Sequence, residues 1–264
     1  MIKTGRVRQV TFALSCVAFA TIVAASQWPS DLLEQQLNLP LQKNTPRSAV
    51  PQFAQINNVN EKKQAFFNYL RPKIELQNAR IQTERQTLLR VLDKMQRNRT
   101  LSNSDKEALT AISLRYRWEL RSLDVSGLQQ LLSRVDTLPV EMVLIQAANE
   151  TGWGSSRFAI EGNNYFGQWC FTAGCGLVPQ ARSTGMNHEV ARFADADGSI
   201  ASYLLNLNTN AAYQGLRQRR AELHQQQQSV TATELIPTLL AYSERKQEYV
   251  DELLAMLRQN RHLL

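Results

Sequence analysis

A carboxylate that closes an apolar helix can keep its proton close to neutral pH, and residue 150 is placed to do so. The run Val140-Glu141-Met142-Val143-Leu144-Ile145-Gln146-Ala147-Ala148-Asn149-Glu150 is apolar on nearly every side, and Gly152 and Gly154 follow it. A helix C-terminus carries partial negative charge, which disfavours a further anion, and apolar neighbours including Trp153 disfavour it again. Both effects raise the pKa of Glu150 toward the range a general acid uses. Position alone equally admits a helix-terminal Glu held by an arginine such as Arg157 or by backbone donors.

The wider string decides between these readings. Gln146-Ala-Ala-Asn-Glu150-Thr-Gly-Trp-Gly-Ser-Ser-Arg157, followed by Gly162-Asn-Asn-Tyr-Phe-Gly-Gln168, resembles the glucosaminidase domains of glycoside hydrolase family 73. In that family a helix ends in Glu-Ser-Gly-Trp-Gly and an Asn-x-Phe-Gly segment comes after it; Thr151 stands here where Ser is usual. The resemblance covers roughly residues 125–260. It implies a lysozyme-like fold, cleavage of peptidoglycan glycan strands between sugars, and a proton-donor role for Glu150.

On the same resemblance Tyr213, in Asn208-Thr-Asn-Ala-Ala-Tyr213, matches a cleft tyrosine; by itself it reads more readily as a core aromatic. Tyr242 matches a further family position without a clear role. Asn164 and Gln168 belong to the motif and are expected to bind substrate. Trp153, Tyr165, Phe166 and Trp169 offer faces for sugar rings, though some must fill core. For a second carboxylate the preferred residue is Glu189, in His188-Glu189-Val190-Ala-Arg-Phe193, as base or charge stabiliser; an exposed strand carboxylate is the competing reading. Asp195 and Asp197 look like turn and helix-cap residues.

The elements that must position these groups are mainly helical. From Glu61 to Asn98, Phe66, Phe67, Leu70, Ile74, Ile81, Leu88, Leu89 and Leu92 recur at mostly helical spacing, with a break expected at Pro72. Ser104-Asp-Lys-Glu107 and Ser126-Gly-Leu-Gln129 look like helix starts, and Pro139 suits the first position of the helix that carries Glu150. Alternation between Gly176 and Phe193 predicts a small β-hairpin lobe. Helices are expected again over 199–208, 212–223, 232–242 and 244–260. The expected class is a mainly α, lysozyme-like α+β fold: a helical core with a small β-hairpin lobe, preceded by N-terminal helices.

Ahead of these, Lys3, Arg6 and Arg8 precede an apolar run of about 16 residues and the small residues Val23-Ala-Ala25, the shape of a signal peptide over 1–25. An uncleaved anchor is the alternative and the sole expected membrane contact; lipidation at Cys16 carries little weight. A Gln-, Asn- and Pro-containing stretch over 26–60 reads as a flexible linker, 61–122 as an N-terminal helical region and 123–264 as the catalytic domain.

Export leaves Cys170 and Cys175 as an even pair, which reads as a disulfide. With His188, His224 and His262 scattered, no zinc spacing appears, and neither metal nor organic cofactor is expected. Loss of residues 1–25 lowers the net charge from +7 to +4. That mild excess suits an anionic wall polymer, and it lacks the concentrated Lys/Arg face of a nucleic-acid binder.

The leading expectation is therefore a periplasmic or otherwise exported, monomeric endo-β-N-acetylglucosaminidase acting on peptidoglycan. A muramidase or lytic transglycosylase of the same fold, and a non-catalytic wall-binding protein, are its rivals.

Overall fold

The computed structural model of the protein describes residues 49–119, 123–180, 182 and 188–264. The expected signal segment 1–25 and most of the 26–60 stretch lie outside the described residues.

Helix α1 spans Val59–Gln96, 38 residues, and starts where the Asn58 side chain accepts the N–H groups of Asn60 and Glu61. It runs unbroken through Pro72, against the expected interruption. Pro72 and Asn68, whose carbonyl loses its partner, are both exposed, so water can satisfy that carbonyl. The inward stripe Phe66, Phe67, Leu70, Ile74, Ile81, Leu88 and Val91 is buried.

Helix α2, Asn103–Arg115, begins at a reciprocal capping box of Ser102 and Asp105, two residues before the start read from Ser104. Helix α3, Val125–Arg134, is capped by Asp124 rather than Ser126. Helix α4, Val140–Thr151, follows Pro139 and stops at Gly152, whose φ of 54° is the left-handed turn that ends helices. A short helix α5, Arg157–Gly162, comes next.

The β lobe is a three-stranded antiparallel sheet rather than a simple hairpin. Strands β1 (Trp169–Cys170), β2 (Gly176–Leu177) and β3 (Glu189–Ala191) lie in the order β1-β3-β2, with Trp169 and Leu177 both opposite Val190. Helix α6, Ala196–Thr209, is capped by Asp195 as anticipated. A 3-10 turn at Ala211–Tyr213 leads into α7, Gln214–Gln225. Where a helix was expected over 232–242, α8 covers Ala232–Leu235 and a 3-10 turn Ile236–Thr238 ends it. Pro237, within that turn, has no N–H to extend a helical ladder. Helix α9, Gln247–Gln259, closes the fold.

Helix α4 is the centre: Met142 to Ala148 are buried without exception, and α1, α8 and α9 pack around it while α1 also packs on α3 and α6. Phe53, inside the stretch read as linker, is 2% exposed in this same core, with its ring 5.4 Å from that of Phe66. The result is a mainly α, lysozyme-like α+β fold. Among the described residues no helix is long and apolar enough to cross a membrane.

Candidate active site

The last turn of α4 delivers Glu150 into a ring of tyrosines. The Tyr249 hydroxyl, from α9, donates to Glu150 Oε1 at 2.9 Å. Tyr242 stacks on Tyr249 with centroids 5.5 Å apart and donates its own hydroxyl to the Phe166 carbonyl at 2.9 Å. Tyr213 and Tyr203 lie beside Tyr242 at 6.1 and 6.3 Å between rings. Burial pushes the Glu150 carboxyl up to about 7; the Tyr249 hydrogen bond opposes this, Glu252 adds to it and Arg245 opposes it. Burial, with the charge of Glu150 behind it, also pushes Tyr213 up to about 12. The second oxygen, Oε2, faces the backbone of Gly167: a Cβ there would lie 3.4 Å from it, and φ at Gly167 is 62°. No side chain therefore stands at residue 167 to cover the acid on that side.

The β lobe treats its carboxylate in the opposite way. Glu189, on β3, is 7% exposed and accepts the Gly174 N–H at 3.0 Å and the Gly176 N–H at 2.8 Å, one on each oxygen. These backbone donors hold its pKa below the usual carboxylate value. The same loop is closed by a Cys170–Cys175 disulfide with Cα atoms 6.2 Å apart. The sulfurs approach Glu189 closely enough to suggest a metal cluster, but bonded to each other they offer no thiolate. Gly176 admits no side chain, since a Cβ would lie 2.0 Å from the Val190 carbonyl oxygen.

The family model Glucosaminidase, described as mannosyl-glycoprotein endo-beta-N-acetylglucosaminidase, matches residues 126–262. This chain belongs to the glucosaminidase family. It is also similar to "Protein bax" of Escherichia coli (strain K12), 33% identical over 219 residues that cover 82% of this chain and 76% of that protein. No solved structure matches.

The glucosaminidase match begins at Ser126, yet the described domain is built on α1 as well. Trp153 shows why. Its ring packs 5.9 Å from Phe66 and 5.2 Å from Phe67, with Lys63 Nζ 4.9 Å above it, so it anchors the end of α4 to α1. Tyr249 is the ring that touches Glu150; Trp153, expected both to desolvate the acid and to stack on sugar, is half-buried and packs on α1. Arg157 pairs with Glu161 at 3.2 Å rather than with Glu150.

Three residues expected to touch substrate are enclosed. Asn164 is 1% exposed; its oxygen accepts the N–H groups of Phe166 and Gln168, and its nitrogen donates to the carbonyls of Gln168 and Ala191. Its amide is thus consumed in fixing the Gly167 turn and tying it to β3. Tyr165 is buried against Phe66 and Tyr69, and Phe166 stacks on Tyr203 at 4.0 Å. Gln168 remains half-buried, with its amide at Ser202 Oγ, 2.8 Å away. Trp169, in β1, stacks flat on His188 at 4.1 Å and stays half-buried.

Tyr249 and Gln146 escaped the sequence reading as site residues. Tyr249 lies 99 positions from Glu150, and nothing local marks an aromatic on an amphipathic helix as the partner of a distant acid. Gln146 carried a visible signal, an amide set between the apolar Met142–Ile145 and Ala147–Ala148, four residues before Glu150.

Proposed function

We propose that this chain is a peptidoglycan hydrolase, an endo-β-N-acetylglucosaminidase that works outside the cytoplasm and uses Glu150 as its general acid. The observation that carries the reading is the Glu150 carboxyl itself: raised to about 7 by burial, held on one oxygen by Tyr249, and with the other beside Gly167, which has no side chain to cover it. A carboxylic acid of that pKa is half protonated near neutral pH, which suits proton transfer to a glycosidic oxygen. As the glycosidic C–O bond breaks, its electron pair goes to the oxygen, which takes the Glu150 proton. The carboxylate left behind receives the Tyr249 hydrogen bond.

Glu189 is the ionised counterpart in this reading. Its environment lowers its pKa while that of Glu150 is raised, and such divergence is how two carboxylates come to hold acid and charge-stabilising roles. It would steady the positive charge developing at the sugar or activate the attacking water. Tyr213 adds a cleft-side hydroxyl that stays protonated at neutral pH. Carboxyl chemistry of this kind asks for no metal or organic cofactor.

Mass spectrometry of the ends released from purified peptidoglycan, beside a Glu150→Gln control, tests the proposal. Reducing N-acetylglucosamine ends that vanish in the control are expected. Reducing or anhydro N-acetylmuramic ends would make the protein a muramidase or lytic transglycosylase, and silence from both samples would make it a wall-binding protein.

A further inference from the structure

The hydrogen bond that Tyr249 gives Glu150 is the last link of a chain that starts in the core. Tyr203, on α6, donates its hydroxyl to Gln146 Oε1. Gln146, 0% exposed in the middle of α4, donates Nε2–H to the Tyr249 oxygen at 3.1 Å. Tyr249, 2% exposed, then donates to Glu150 Oε1 at 2.9 Å. An amide nitrogen can only donate and an amide oxygen can only accept. If the amide were reversed, the buried Tyr203 hydrogen would face a donor, and no other hydrogen-bond partner is seen for that hydroxyl among the described residues. The chain therefore has one direction, from Tyr203 outward to the acid.

We propose that Gln146 is a positioning residue for the acid: by donating to the Tyr249 oxygen it obliges the Tyr249 hydroxyl to point at Glu150 Oε1, so that the transferable proton is kept on Oε2, the oxygen beside Gly167. This rests on the reading of Glu150 as the general acid. An oxygen that already accepts a hydroxyl hydrogen is the poorer site for a proton, and Oε2 has no donor aimed at it among the described residues. Hydrogen bonds in series also polarise one another, so the Gln146 amide makes the Tyr249 hydroxyl a stronger donor to the carboxylate that remains after proton transfer.

The groups that act electrostatically on Glu150 are Tyr249 and Glu252 on α9 and Arg245 in the turn before it. The charge of Glu150 in turn reaches Tyr203 on α6, Tyr213 before α7, and Tyr242. Arg245 and Glu252 pair with each other, and the hydrogen bond seen at Glu150 is the one from Tyr249. Through hydrogen bonds, a change at Gln146 should therefore reach the acid by way of Tyr249.

The test is a titration of the Glu150 side-chain carboxyl by carbon-13 NMR in the full chain, assigned with Glu150→Gln, for wild type, Gln146→Met, Tyr249→Phe and the double variant. Tyr249→Phe removes a donor to the anion and should raise the midpoint by about one pH unit. Gln146→Met, of similar shape, should raise it by a few tenths of a unit. In the double variant Gln146→Met should add nothing to Tyr249→Phe. Tyr203→Phe, which frees the amide to turn over, should raise it in the same sense and stands in if Gln146→Met does not fold. A Gln146→Met shift that persists in the Tyr249→Phe background, or no shift in either Gln146→Met or Tyr203→Phe, overturns the proposal.

Turnover of glycan across pH supplies the second readout. The acid works protonated, so a raised midpoint should carry the alkaline limb of the profile upward by the same amount. Titration shifts as expected with no glycan cut by any variant would leave the wiring intact and remove the function. Glycan cutting that needs Glu150 while its midpoint ignores Gln146 would do the reverse.

Discussion

Around Glu150 the helical region sets rings; around Glu189 the β lobe sets backbone N–H groups. The first carboxyl is desolvated and receives one hydrogen bond, from Tyr249, so its charged form is penalised. The second is also covered from solvent, but its two backbone donors outweigh what little desolvation it suffers, so its charged form is favoured. Burial alone does not set a protonation state; what decides is whether burial comes with donors aimed at the oxygens. The two supports differ in kind as well. Glu150 stands on a 12-residue helix inside the main core, whereas Glu189 holds a six-residue disulfide loop in a lobe of two- and three-residue strands.

The comparison is broken most severely at the acid. Glu150→Gln should lower turnover by about 10³-fold, or about 4 kcal/mol of barrier, in a glycan-release assay. Stability should move the other way. Wild type loses stability as pH rises from the ordinary glutamate value of 4.5 to about 7, because the unfolded chain gives up this proton first. The Gln variant, which has no proton to lose, should gain on wild type across that window in thermal melts and hold its advantage above it; parallel melting curves would contradict the burial argument.

Next in size is the helical support. Phe67→Ala, which removes a fully buried ring from against Trp153, should cost about 3 to 5 kcal/mol of unfolding free energy. Loss in a single transition is expected if α1 and the family-matched segment share one core. A separate early transition for α1 would show two units instead.

Glu189→Gln should reduce turnover by about 10²-fold while Glu150 still titrates near its wild-type midpoint. A loss under about threefold would reduce Glu189 to a clip for the disulfide loop. Because its folded pKa is depressed, the stability it contributes is present above 4.5 and fades as pH falls through the folded value; the Gln variant should lack that acid-side decline.

Replacing Cys170 and Cys175 together by Ser should cost about 2 kcal/mol, seen as faster hydrogen exchange of lobe amides rather than of α4. Smallest is Gly167→Ala. Its methyl would stand 3.4 Å from Oε2 at a φ of 62°, and about a tenfold loss of turnover with intact Glu150 titration would locate the proton on that side.

Much of the helical half was legible because its cues are local. The apolar run that ends at Glu150, the glycine that stops it, and the Asp195 cap all act within a few residues. Pro72 misled because the freed Asn68 carbonyl reaches water and packing of the helix against its neighbours offsets the proline's cost, and both are tertiary properties. The short β segments showed only as alternation, too brief to reveal that β3 pairs on both edges. Asn164, Tyr165 and Phe166 belonged to the right motif, but a motif does not say whether a side chain faces ligand or its own loop.

The sequence by itself singled out Glu150, the helix that carries it, the cysteine pair and the family, because each is written in residue type and short-range spacing. Only the tertiary structure decided what surrounds the acid. Tyr249 meets Glu150 across 99 residues, Gln146 turns that hydroxyl, and α1 claims Trp153. These are contacts between elements distant along the chain, and they exist only once the helices have packed.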